Sequence, residues 1–233
     1  MQLVLAELPD SLQHYTGKPV PKWMRRLAPD AAGSLLRVEA ETGGLVYTDL
    51  WRSAEVSLAA RAEKQGVQLP AYSPHNYGFA VDVAVDETLR KRNWSYTQLL
   101  GVLEGYGWYC HRRDGAPGKS ESWHFNFLRP GGKPYLGNVD PKKATTWHLG
   151  VEARIQESYG AQLCLDTPGV QYALKKLRMY VGEVDGVVGP ITRQGIAAFQ
   201  RAWGLKATGV ADEKTQRTLA FLACEVTLVP PVL

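Results

Sequence analysis

Cysteine is scarce in this chain. Cys110, Cys164 and Cys224 are the only three among 233 residues, far apart and odd in number. None has zinc-knuckle or redox spacing, so a disulfide framework is not expected and synthesis in a reducing compartment is the simpler expectation. No apolar tract is long enough to cross a bilayer, which takes about 20 residues, so membrane insertion is not expected either. An excess of one charge is also lacking: Lys and Arg total 27 against 23 Asp and Glu, a net +4. The split is 18 basic and 15 acidic residues in 1–150 and 9 and 8 in the rest. So mild a balance favours approach to an anionic surface but is far from the concentrated patch of a nucleic-acid binder. Arg90-Lys91-Arg92 and Arg112-Arg113 read as solvated loops. Met1 to Asp10 has no positive n-region and only a short apolar run before Glu7, so no secretory signal is expected. There is no evident internal repeat or low-complexity segment.

What remains is the composition of a soluble globular protein, 45% apolar and 21% charged, at a length that suits one to two domains. Turn formers in Arg129-Pro-Gly-Gly-Lys-Pro134 and Asp140-Pro-Lys-Lys mark the end of a first domain over 1–140. A linker over 141–164 follows, with a linking helix from Thr146 to Gly160 in which Val151, Ile155 and Tyr159 recur every four residues. The second domain is 165–233. In the first, Ser53 can cap a helix through about Gln65, and Ser95-Tyr-Thr-Gln98 is a capping box before Leu99, Leu100 and Leu103. Helices around a small, largely antiparallel sheet give an α+β class. In the second, Val170 to Leu177 has helical spacing, Asp185-Gly186-x-x-Gly189-Pro190-x-Thr192 is a turn that opens a helix carrying Ile196, Phe199 and Trp203, and a further helix after Asp212 carries Thr215, Leu219 and Leu222. That is an all-α three-helix domain.

The chemistry concentrates in Ser73-Pro-His75-Asn-Tyr-Gly78-Phe-Ala80-Val-Asp82 and in Glu121-Ser-Trp-His124-Phe. A turn at Gly78 can bring the His75 imidazole back towards Asp82. Alternation over 80–85 puts Val81, Val83 and Val85 on one strand face and Ala80, Asp82 and Ala84 on the other. In Trp123 to Phe127 the same period buries three aromatics and turns His124 to the side shared with Asn126. Glu121 would fall on the wrong face of a straight strand, so a bend is expected at Ser122. Two imidazoles and a carboxylate with a spare glutamate read as a catalytic zinc site: three protein ligands and one open position.

At these residues the sequence resembles the LAS metallopeptidases, and within them the D-alanyl-D-alanine carboxypeptidases and L-alanyl-D-glutamate endopeptidases of bacteria and phages. The resemblance runs from about Val46 to Leu128. It implies Zn2+ held by His75, Asp82 and His124, with Glu121 as the base that takes a proton from the attacking water. The family's Gly-Tyr-Arg-Ser box has its counterpart in Leu50-Trp51-Arg52-Ser53, which makes Arg52 a candidate catalytic residue. Arg52 would stabilise the developing oxyanion, or hold a substrate carboxylate by a bidentate fork, or simply pair with Asp49 or Glu55.

The C-terminal part, from about 165 to 222, resembles the three-helix peptidoglycan-binding domain. The matching residues are Leu174, Leu177, Asp185-Gly186, Gly189, Thr192, Ile196, Phe199-Gln200, Gly204-Leu205, Thr208-Gly209 and Asp212. Together with the missing secretory signal, the two resemblances imply a monomeric enzyme of the phage endolysin type. It would be made in the host cytoplasm, released by a holin, and would have bacterial peptidoglycan as its partner. The expected bond is the L-Ala-D-Glu amide of the peptide stem, with a D,D-carboxypeptidase or crosslink endopeptidase as alternatives. A non-catalytic wall-binding protein is the alternative class.

Overall fold

A computed structural model describes residues 2–63, 72–110, 121–128 and 165–232. Of these, the residues within Val4–Arg52, Ser73–Ile155 and Thr227–Leu233 form one compact unit, and those within Met1–Leu3, Ser53–Tyr72 and Gln156–Val226 form another. The expected linking helix over 146–160, the turn formers at 129–134 and 140–143, Arg112-Arg113 and Cys164 lie outside the described residues.

The elements run β1 (Gln2–Glu7), β2 (Gln13–His14), β3 (Arg26–Leu27), α1 (Pro29–Thr42), β4 (Val46–Asp49), α2 (Ala54–Glu63), a 3-10 turn (Pro74–Tyr77), β5 (Ala80–Val83), α3 (Val85–Arg92), α4 (Tyr96–Gly105), β6 (Trp108–Cys110) and β7 (His124–Phe127). α5 (Thr167–Lys176), α6 (Pro190–Ala202), α7 (Glu213–Ala223) and β8 (Glu225–Val229) complete the chain order. The class is α+β, as expected. The main sheet has strand order β2-β4-β5-β7-β6 and is antiparallel except between β2 and β4.

β5 is the middle strand, and all four of its residues are buried. Val81 and Val83 join Tyr47, Leu99, Trp108 and Phe125 in the core, and Asp82 leaves by the opposite face. Register sets its neighbours: Asp82 lies across from Asp49 on β4 and from His124 on β7, and Ala80 lies across from Asn126.

The strand expected over 80–85 ends two residues early. Val85 already opens α3, with Asp86 and Glu87 in its first turn and Arg90, Lys91 and Arg92 in its last. Acids at the amino end and bases at the carboxyl end complement the helix dipole, which outweighs a short alternation. The basic triplet is therefore the last turn of a helix and not a loop, and the Arg92 guanidinium donates to the Thr42 carbonyl. Trp123 also departs from expectation: it sits in a turn, half-buried, while Phe125 and Phe127 are buried. The capping box is as read, with Gln98 N donating to Ser95 Oγ and Ser95 N to Gln98 Oε1 at 2.7 Å. Ser53 Oγ accepts from Val56 N at 3.3 Å, capping α2, which is described as far as Glu63.

In the C-terminal region, the three expected helices pack Val170, Leu174, Ile196, Phe199 and Leu219 around a core. Asp212 caps α7 by accepting from Thr215 N at 2.8 Å. The turn that starts at Asp185-Gly186 opens α6 as expected, with Gly189 as the cap and Pro190 as the first helical residue. β8 had no expectation.

Two fully buried glutamines repeat one device. Gln171 Oε1 accepts from Gly186 N, and its Nε2 donates to Val187 O and Thr192 Oγ1. Gln200 Oε1 accepts from Gly209 N, and its Nε2 donates to Val210 O and Thr215 Oγ1. Each amide thus ties a left-handed glycine turn to the threonine six residues after that glycine, in the helix that follows. The repeat is not evident in the sequence, because Gln171 stands fifteen residues before its glycine and Gln200 only nine.

Candidate metal centre

Three elements bring the expected ligands together. His75 comes from the 3-10 turn, Asp82 from the centre of β5 and His124 from the first position of β7. Gly78 makes the first step: its φ is +73°, and its carbonyl accepts from Ala28 N at 2.9 Å. A Cβ there would stand 2.4 Å from Ala28 N and 2.7 Å from the Leu27 carbonyl carbon, so no larger residue fits without moving backbone.

His75 Nε2 lies 3.2 Å from Asp82 Oδ1 and 3.1 Å from His124 Nδ1, and His124 Nδ1 lies 2.8 Å from Asp82 Oδ1. Four-coordinate zinc with ligand bonds of about 2.0–2.1 Å has ligand–ligand edges of roughly 3.3 Å, so this triangle has the size of one tetrahedral face. The remaining ring nitrogens are already engaged. His75 Nδ1 donates to the Leu50 carbonyl, and His124 Nε2 is 3.0 Å from Asn126 Oδ1. These three atoms converge in a buried place, and among the described residues this is the one His/Asp cluster that could hold a metal ion. Burial would raise the Asp82 carboxyl, but the neighbouring His75 and His124 hold it well below the usual carboxylate range.

Arg52 is at the site. Its Nη2 donates to Asp82 Oδ2 at 3.2 Å and its Nε to Asp49 Oδ2. The surface-pair alternative with Asp49 therefore holds in part, but the same guanidinium also touches a candidate ligand. Burial would lower its pKa, yet Asp49, Asp82 and Glu121 together raise it, so Arg52 is a fixed cation. Its backbone is stitched to the 3-10 turn: Arg52 N donates to His75 O, Asn76 Nδ2 to Arg52 O at 2.9 Å, and Trp51 Nε1 to Asn76 O at 3.0 Å.

Glu121 is not one of the clustered groups. Residues 121–123 form a turn, Glu121 has φ +59°, and His124 N donates to Glu121 O at 3.1 Å. The chain does bend before β7, as the face argument required. Glu121 is exposed, and its charge is felt at Arg52. The Leu50 carbonyl and Asn76 had no signal in the sequence, because one acts through backbone and the other is a buried amide inside the motif.

Residues 168–219 match the family model described as a putative peptidoglycan binding domain. The chain is 34% identical over 85 residues to the N-acetylmuramoyl-L-alanine amidase CwlM of Mycobacterium tuberculosis (strain ATCC 25618 / H37Rv). That match covers 36% of this chain and 21% of the amidase, so the chain spans about a fifth of that relative's length. Among solved structures, the LdcB LD-carboxypeptidase overlaps with a TM-score of 0.40 at 14% identity, covering 67% of this chain and 77% of that one. None of the described helices is long and apolar enough to cross a membrane.

Proposed function

We propose that this chain is a zinc-dependent peptidase of bacterial peptidoglycan that cuts an amide of the peptide stem. The observation that carries the reading is the triangle of His75 Nε2, Asp82 Oδ1 and His124 Nδ1, sized for zinc and backed by hydrogen bonds on the far ring nitrogens. The match at 168–219 supports a wall polymer as partner. On this reading residues 1–140 are the peptidase part, 141–164 the link and 165–233 the wall-binding part.

When bound, zinc supplies Lewis acidity, polarising the scissile carbonyl and bringing the attacking water's pKa to about 7. The chain supplies the rest. His75, Asp82 and His124 hold the ion. Glu121, on its exposed turn beside the cluster, accepts the water's proton and returns it to the leaving amine. Arg52, kept charged by Asp49 and Asp82, faces the carbonyl oxygen or a substrate carboxylate.

The L-Ala-D-Glu amide is the proposed bond, since cutting there frees every stem from the glycan whichever residue forms the crosslink. Mass spectrometry of walls digested by zinc-loaded protein tests it, with new D-Glu amino termini expected. Free D-Ala alone would make the enzyme a carboxypeptidase. Free stems beginning with L-Ala would indicate the amidase activity that the relative's name carries. Zinc uptake with no bond cut would leave a wall-binding protein.

A further inference from the structure

We infer that Asn126 is a positioning residue that holds His124 as the Nε2–H tautomer, so that His124 offers Nδ1, and not Nε2, to the metal. The inference rests on the zinc reading above and adds to it which ring atom binds and what selects it.

His124 and Asn126 stand two apart on β7 and so share one face of the sheet. The backbone of Asn126 is fixed from both sides, opposite Ala80 on β5 and Tyr109 on β6. Its side-chain Oδ1 lies 3.0 Å from His124 Nε2. A carbonyl oxygen only accepts, so the proton of that contact sits on Nε2. The other nitrogen then carries a lone pair aimed at Asp82 Oδ1 and His75 Nε2.

The amide achieves this at a cost that packing does not explain. Asn126 is 2% exposed, and its Nδ2 has no hydrogen-bond partner among the described residues. A leucine would fill similar space without burying an unpaired N–H. What leucine lacks is the acceptor. Were the amide turned over, Nδ2 would face His124 Nε2 and require a lone pair there. The ring proton would then lie on Nδ1, inside the ligand triangle, and exclude the ion.

His75 offers the complementary case. Its Nδ1 donates to the Leu50 carbonyl, so it presents Nε2. The two histidines thus bind through different atoms because different acceptors stand behind them, a backbone carbonyl for one and a side-chain amide for the other. Partners of this kind typically contribute about 10–100-fold to metal affinity. Of the two, only the Asn126 acceptor can be removed by substitution.

The test uses the whole zinc-loaded chain with 15N-labelled histidine. Long-range proton–nitrogen correlations of the imidazoles should show His124 protonated at Nε2 and coordinated at Nδ1, with a slowly exchanging Nε2 proton. Asn126→Leu should lose that slow exchange and bind zinc about 10–100-fold more weakly in competition with a chromophoric chelator. Asn126→Asp, which keeps an acceptor, should restore both. Coordination through Nε2 in the unaltered protein would overturn the inference, as would full zinc affinity in Asn126→Leu or an Asn126→Asp variant as weak as leucine. If the leucine variant does not fold, the unaltered spectrum and the aspartate variant still decide. A protein that takes up no zinc would instead remove the metal reading itself.

Discussion

Arg52 bridges Asp49 and Asp82, two carboxylates that the register of β4 and β5 places directly across from each other. Like charges opposite one another on a sheet are destabilising, so the pairing needs a cation between them. The guanidinium provides it with two separate N–H groups, a geometry that the single ammonium of lysine does not reproduce.

Arg52→Ala should therefore cost stability as well as activity. We expect a loss of about 1–3 kcal/mol in urea denaturation of the metal-free protein, the range for removing a hydrogen bond to a charged group. Zinc would offset the charge of one of these carboxylates, Asp82, so the loss should shrink when the ion is in excess. An equal loss with and without zinc would mean that the pairing with Asp49, and not the contact with the candidate ligand Asp82, carries the contribution of the Arg52 side chain.

Gly78→Ala tests the turn beneath His75. A left-handed φ costs an L-residue about 1–2 kcal/mol. The Cβ would also meet Ala28 N at 2.4 Å, a clash with backbone that rotamer changes cannot relieve. The expected result is a urea midpoint lowered by more than the left-handed cost alone, with weaker zinc binding because His75 moves with the turn. A midpoint close to that of the unaltered chain would contradict the close approach at Gly78.

The parts of the site that the sequence made legible are local. His75, Gly78 and Asp82 lie in one ten-residue run in which a glycine turn and a short strand can be read directly. The bend before His124 is legible because a strand has a strict period of two, which leaves Glu121 on the wrong face of a straight one. The end of β5 was not legible, since alternation over 80–85 suits a strand equally well on either side of Val83. What stops the strand is the charge order of the helix that follows. The Leu50 carbonyl behind His75 left no trace, because any residue supplies a carbonyl. The glutamine pair stayed hidden for a related reason: its two copies share bonds but not spacing.

That pair yields a prediction for the C-terminal unit. Gln200→Leu strands Thr208 N and Gly209 N, both of which now donate to Gln200 Oε1 at 2.8 and 2.9 Å. Gly209 is buried, and a buried N–H left without a partner costs about 1–3 kcal/mol, whereas at the exposed Thr208 water can take over the bond. Hydrogen exchange at Thr208 and Gly209 should quicken, and Gln171→Leu should do the same at Gly186, while zinc binding by His75, Asp82 and His124 is retained. Unchanged protection at these amides would show that the glycine turns hold without their glutamines.

The last prediction separates holding the metal from moving the proton. His75→Ala, Asp82→Ala and His124→Ala each remove one corner of a triangle whose edges are 2.8–3.2 Å, so each variant should lose most of its zinc by metal analysis. Glu121 lies outside that triangle, on a turn held by the bond from His124 N to its own carbonyl, which a side-chain change leaves intact. Glu121→Gln keeps the shape and removes the base. It should retain full zinc and wall binding while the cleavage rate falls by about 10²–10⁴, the usual contribution of a positioned general base. Loss of zinc in this variant would make Glu121 a fourth ligand. A rate within a few-fold of the unaltered enzyme would assign the proton transfer to another group.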